Sequence, residues 1–215
     1  DVMTGMDWEL RVPQRIGVRL SGALNKWASP KDVILKLAGI LTVKGGTNAI
    51  IEYFGEGVAT LSCTGKATIC NMGAEVGATT SVFPFDDSMV RYLTATGRQD
   101  VAQAALEVKD CLKADAEVSL NPEAYYDRVI DIDLSTLSPH INGPFTPDAA
   151  TPIAQMKQYL QEHDYPRVVD VALIGSCTNS SYQDLARAAS VAKSAMKAGL
   201  KPKAQLIINP GSALI

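Results

Sequence analysis

The sequence predicts an α/β fold with mainly parallel sheets, and three stretches carry that expectation. Residues 168–174 (VVDVALI) form a β-branched apolar run that breaks into small polar residues at 175–181 (GSCTNSS) and resumes as an Ala-rich amphipathic run from Tyr182. That order reads as a buried parallel strand, a tight loop at its carboxyl end and a helix. Residues 14–54 repeat the order strand, helix, strand, which a parallel crossover unit requires. Residues 204–212 end a further apolar run in a second loop, NPGS.

Taken in order, residues 1–15 read as the tail of a preceding domain, with Met3, Met6, Trp8 and Leu10 belonging to no complete element. From Gln14 to Gly22, Ile16, Val18 and Leu20 alternate with Gly17 and Arg19, the pattern of a half-exposed strand. Ser29 caps a helix with Pro30 at its first position and Asp32 in its first turn. Val33, Ile34, Leu37, Ala38 and Leu41 recur on one face until Gly45 and Gly46 end the unit. A strand over 49–54 follows, then a helix over 64–76 on which Asn71 and Glu75, four apart, share a face.

A short strand over 79–83, helices over 86–96 and 99–112, a polar connection over 115–126 and a strand over 127–132 complete an α/β domain of residues 16–138. Residues 139–152 hold Pro139, Pro144, Pro147 and Pro152, the composition of a linker or irregular surface, and mark the domain boundary. Residues 153–215 open a second α/β domain: a helix over 153–163, the strand, loop and helix already described, and a strand over 204–208. A sheet that stops there lacks a covering helix, so exposed apolar surface and self-association are expected.

Composition narrows the function. The 215 residues are 47% hydrophobic and 20% charged with net charge −3, an ordinary globular balance. No basic block indicates nucleic acid and no apolar run is long enough for a membrane helix. The four cysteines, Cys63, Cys70, Cys111 and Cys177, match neither a disulfide framework nor a two-pair zinc site, so a reducing compartment fits. Two histidines, His140 and His163, do not make a histidine-rich metal site, and His140 reads as a hydrogen-bonded structural imidazole.

Cys177 stands out chemically. It lies among hydroxyls, an amide and the backbone N–H groups of a helix start, surroundings that favour the thiolate, the form that binds metal or attacks carbon. The bland alternative is a small buried thiol. Asn71 and Glu75 have a bland alternative too, a solvated polar face, but their run is mostly small and apolar, and a carboxylate there needs a partner. Cys63 and Cys70 read as packing, and Cys111 as incidental.

These stretches resemble the aconitase family. Residues 27–36 (WASPKDVILK), 39–46 (GILTVKGG), 67–84 (ATICNMGAEVGATTSVFP), 139–147 (PHINGPFTP) and 175–181 are similar to the family's mitochondrial type and stand in its order. The resemblance implies aconitase-like three-layer α/β domains and a [4Fe–4S] cluster held by three thiolates, with an open iron acting as Lewis acid on a hydroxyl. It implies tricarboxylate substrates (citrate, isocitrate and cis-aconitate) and the mitochondrial matrix.

Carried over residue by residue, Cys177 matches the first cluster ligand, and Asn71 and Glu75 match polar residues facing the cluster and substrate hydroxyl. The family's downstream Ala-Cys-Gly-Pro-Cys-type motif, upstream Asp-Ser-His motif, carboxylate-binding arginines and serine base have no counterpart in these 215 residues. The chain therefore reads as an internal piece of an aconitase, inactive and without its cluster when isolated. Two alternatives stand beside that reading: a shortened relative acting as a binding module without iron, or a homoaconitase-type dehydratase. A different enzyme using Cys177 as nucleophile lacks a base visible in the sequence.

Overall fold

The computed structural model describes residues 2–25 and 27–213. Its centre is a four-stranded, wholly parallel sheet of order β3-β2-β1-β4, built from β1 (Gln14–Ser21), β2 (Ala49–Phe54), β3 (Thr80–Val82) and β4 (Arg128–Asp133). The α/β expectation with parallel strands holds, and the alternation of β1 sets its two faces. Ile16, Val18 and Leu20 point into the core with Ile51, Tyr53, Ile130 and Ile132. Helix α1 (Pro30–Leu41) adds Val33, Ile34, Leu37, Ala38 and Leu41 to the same cluster, and α2 (Cys63–Asn71) adds Ile69. The other face carries Arg19, paired with Asp131 at 2.7 Å, and the stacked rings of Phe54 and Tyr126. A Cβ on Gly17 would collide with the Tyr126 ring, so this strand position must be bare.

Ser29 and Asp32 close the start of α1 as the sequence predicts, with the Asp32 carboxylate accepting from the Ser29 N–H at 2.7 Å. Asp32 also accepts from the His140 N–H at 2.7 Å, and the Asn142 side-chain amide donates to the Leu35 carbonyl at 3.1 Å. The proline-rich segment is therefore no irregular linker. It forms a short antiparallel hairpin, β5 (His140–Asn142) with β6 (Ala150–Pro152), tied to α1 by the buried Asp32. His140 accepts the structural role read from the sequence, its ring Nδ1 lying 2.6 Å from the Ser138 carbonyl.

The expected helix over 64–76 is broken. After α2 the chain tightens into a 3-10 turn, Met72–Val76, that ends at Gly77 in the left-handed region (φ 78°). The cause is tertiary: Gly73 lies against β3, where a Cβ would come within 2.6 Å of the Ser81 hydroxyl, and the chain must turn at once into that strand. The 99–112 helix shortens likewise to α4 (Gln99–Glu107), beside α3 (Asp87–Ala95), and the polar connection includes the short α5 (Ala116–Leu120).

The carboxyl-terminal part comprises α6 (Met156–Glu162), β7 (Val171–Ile174), α7 (Tyr182–Lys197) and β8 (Gln205–Ile208), with β7 and β8 a parallel pair. The expectation of a buried strand over 168–174 is corrected. The strand begins at Val171, and Val171 and Leu173 are 50% and 57% exposed. Only one face of this two-stranded sheet turns towards α7, through Ile174, while Leu173 and its register partner Ile207 face outward. Among the described residues no helix is long and apolar enough to cross a membrane.

Candidate functional site

The loop after β7 is fixed by backbone geometry that few residues tolerate. Gly175 (φ 141°) and Ser176 (φ 69°) both adopt positive φ, and a Cβ on Gly175 would collide with the Asn209 carbonyl. Asn209 follows β8 and donates its N–H to the Ile174 carbonyl at 2.9 Å. Gly211 donates to the Ser180 carbonyl at 3.0 Å. The two loops at the strands' carboxyl ends thus brace one another, at the edge where parallel sheets present ligand sites.

Helix α7 starts from Ser181, whose hydroxyl accepts from the Asp184 N–H at 3.3 Å while the Asp184 carboxylate accepts from the Ser181 N–H at 3.2 Å. Cys177 therefore does not sit on a free helix start, as the sequence suggested. Three residues separate it from that cap, and its thiol is exposed. Its thiolate is favoured by side chains: the Thr178 hydroxyl 3.7 Å away, the Asn71 amide at 3.7 Å and the Ser176 hydroxyl at 3.8 Å. These donors hold its pKa below that of an ordinary thiol. Cys70, half-buried beside Asn71, behaves oppositely, burial pushing its thiol up to about 11.

Asn71 reaches this loop from the last residue of α2. Its amide donates to the Thr178 hydroxyl at 3.0 Å as well as to Cys177. One helical turn earlier, the Thr68 hydroxyl donates to the Thr178 carbonyl at 3.2 Å. Glu75 takes a different position. It lies in the 3-10 turn, where three residues per turn rotate it off the face it would share with Asn71 on a continuous α-helix. It lines a cavity of about 750 Å³ together with Asp32, His140, Ile174, Asn179 and Arg187. That cavity abuts both ends of the Cys177 loop, at Ile174 and Asn179, while no hydrogen bond joins Glu75 to Cys177 or Asn71. Asn71 and Cys177 are thus brought into contact, and Glu75 is placed on the adjoining cavity wall.

Thr68 escaped the reading of the sequence, whereas Ser176 and Thr178 are the hydroxyls it set beside Cys177. Thr64, Thr68 and Asn71 recur at the four- and three-residue steps of one helical face, a signal that was available. Its meaning lay in a loop 110 residues away from Thr68.

The donor set offers a metal one ligand. Cys177 is exposed and thiolate-prone, yet among the described residues no group of three His, Cys, Asp or Glu side chains is arranged to hold an ion. Among the described residues Cys177 has the chemistry of one cluster ligand, and a complete coordination shell is not assembled.

The family model described as "Aconitase family (aconitate hydratase)" matches residues 1–215. The chain is 62% identical over 213 residues to the mitochondrial aconitate hydratase of Candida albicans, covering 99% of this chain and 27% of that protein. To the corresponding protein of Schizosaccharomyces pombe it is 57% identical over 212 residues, covering 99% of this chain and 26% of that one. The mitochondrial homocitrate dehydratase of Saccharomyces cerevisiae is 56% identical over 218 residues, covering 100% of this chain and 27% of that protein. The chain spans about a quarter of the length of the curated relatives it matches.

Proposed function

The chain belongs to the aconitase family, and from that membership we propose that it is part of an aconitate hydratase, a hydro-lyase interconverting citrate and isocitrate through cis-aconitate in the mitochondrial matrix. The observation that carries this reading is the meeting of Asn71 and Cys177, Nδ2 to Sγ at 3.7 Å, at the carboxyl edge of a parallel sheet.

In this reading Cys177 supplies one thiolate to a [4Fe–4S] cluster of the whole enzyme. When bound, such a cluster supplies Lewis-acid polarisation of a substrate hydroxyl. This chain's own residues have simpler tasks. The Asn71 amide and the Thr178 and Ser176 hydroxyls hold Cys177 as thiolate. Glu75 presents a carboxylate to the adjoining cavity, and on the family's pattern that carboxylate would face the substrate hydroxyl. Residues 16–138 serve as one domain and 153–215 as the opening of the next, with the 139–152 hairpin fastening the boundary to α1.

A homocitrate dehydratase at 56% identity makes a larger tricarboxylate the second reading. The test is to purify the native polypeptide carrying this sequence and measure its mass, iron content and turnover of citrate and homocitrate. We expect a polypeptide near the relatives' length that retains iron and isomerises citrate, with Cys177→Ser losing both. A native 215-residue product that binds no iron would overturn the proposal and leave a binding module.

A further inference from the structure

Helix α2 presents a polar seam to the loop that bears Cys177. Ser62, its N-cap, then Thr64, Thr68 and Asn71 all point their polar groups at the β7–α7 unit. At the carboxyl end of the seam Thr68 and Asn71 grip Thr178, whose position fixes that of Cys177 beside it. At the amino end stands Gln183, in the first turn of α7. Its Oε1 accepts from the Ser62 hydroxyl at 2.7 Å and from the Thr64 hydroxyl at 2.5 Å.

We infer that Gln183 is a positioning residue that sets the register of the Cys177 loop against Asn71. The physical case is one of leverage. Tied to α2 at Thr178 alone, the braced pair of loops could pivot as a unit about that contact, whereas a second attachment one helix length away along α2 removes that freedom. Gln183 joins the loop through a stiff connection, because the Ser181–Asp184 cap locks the first turn of α7 on which it stands. The Ser62 hydroxyl it engages also accepts from the Gly65 N–H at 3.1 Å, so the anchor is the capped end of a helix. Arg187, one turn further on, donates to the Ala28 carbonyl at 3.0 Å and extends the same attachment towards α1. Gln183 serves here as acceptor for both hydroxyls, a role that a carboxylate keeps and a thioether of equal length fills only weakly.

The inference rests on the reading of Asn71 and Cys177 as one site, and disulfide trapping between Asn71→Cys and Cys177 tests the two separately. The full chain carrying Asn71→Cys is exposed to oxidised glutathione, and the 71–177 disulfide is followed over time by peptide mass mapping. Far-UV circular dichroism follows folding in parallel. Four backgrounds are compared: Gln183, Gln183→Glu, Gln183→Met and Gln183→Ala. We expect rapid trapping with Gln183 and Gln183→Glu, and trapping slowed on the order of fivefold to tenfold with Met or Ala at unchanged helicity, as loss of two modest hydrogen bonds implies. Equal rates in all four backgrounds would overturn the positioning role alone. Absence of the 71–177 disulfide with Gln183 intact would overturn the common site and the inference together.

Discussion

The amide of Asn71 lies 3.7 Å from the thiol of Cys177 across 106 residues of sequence. The contact joins the last residue of α2 to the loop after β7, where the Thr178 hydroxyl, the Asn71 amide and the Ser176 hydroxyl together set Cys177 apart from Cys70. These donors lower the pKa of Cys177, while burial raises that of Cys70 to about 11.

Alkylation should therefore separate the two thiols. Because thiolate is the reactive species, iodoacetamide should label Cys177 at lower pH than an ordinary thiol, and Cys70 only as pH approaches its much higher pKa. Asn71→Ala removes one donor and should move the pH midpoint for Cys177 upward. Peptide-resolved labelling against pH measures both, and an unmoved midpoint would show that Asn71 does not hold the thiolate.

Much of this arrangement was legible in residue order, and the rest was not for identifiable reasons. Alternation gave β1, and Ser29, Pro30 and Asp32 gave the start of α1, because strand faces and helix caps are local. The break of α2 was hidden, since it depends on Gly73 meeting Ser81 on a neighbouring strand. The exposure of β7 was hidden for the opposite reason. Val171 and Leu173 have the composition of a buried strand, and burial is decided by what lies opposite them. Cys177 stood out by its local chemistry and Asn71 by its helical face, their roles came from the family resemblance, and only the fold shows that they touch.

Gly175 should tolerate no side chain. Its φ of 141° strains any L residue, and a Cβ would meet the Asn209 carbonyl, which is backbone and cannot swing aside. Gly175→Ala should cost about 1–3 kcal/mol and loosen the loop. Urea denaturation measures the loss, and hydrogen exchange at the Asn209 and Gly211 amides locates it.

The Lys66–Asp86 pair gives a stability prediction with a definite pH sign. Lys66 is 2% exposed and pairs with Asp86, which also caps α3 by accepting from the Ser88 N–H at 3.0 Å. Burial alone pushes the Asp86 carboxyl up, but hydrogen bonds from Lys66 and Ser88 and the Lys66 charge bring it below the usual range. A folded-state pKa below the unfolded one stabilises above the unfolded value, ~3.9, and that contribution is lost as pH falls through the folded value. Asp86→Ala leaves a buried ammonium unpaired and should cost about 3 kcal/mol at neutral pH. The gap from the parent chain should shrink below about pH 4. A gap independent of pH would assign the loss to packing.

The outward face of the β7–β8 pair should drive self-association of the isolated chain. Leu173 and Ile207 are register partners, 57% and 41% exposed, and Val171 beside them is 50% exposed. A contiguous apolar strip on an open sheet is an interaction surface. Leu173→Lys with Ile207→Lys should return the chain to monomer in sedimentation velocity, while a monomeric parent chain would refute the expectation.

The isolated 215-residue chain should not isomerise citrate, even after incubation with iron and sulfide. A [4Fe–4S] cluster needs thiolates on several corners. Here one exposed thiol is disposed to be thiolate, and no three His, Cys, Asp or Glu side chains converge among the described residues. Cys70 does not fill the gap, because burial holds it protonated up to about 11, and protonated thiols are poor ligands. Catalysis fails separately from binding. Acid–base groups contribute roughly 10²–10⁴-fold each, and of the two polar groups in the proposed site only the Glu75 carboxylate can act as one, Asn71 being an amide. Isomerase turnover, measured beside Cys177→Ser with iron quantified in both, decides the matter. Turnover that depends on Cys177 in a chain of this length would mean that the site is complete here and that the piecewise reading is wrong.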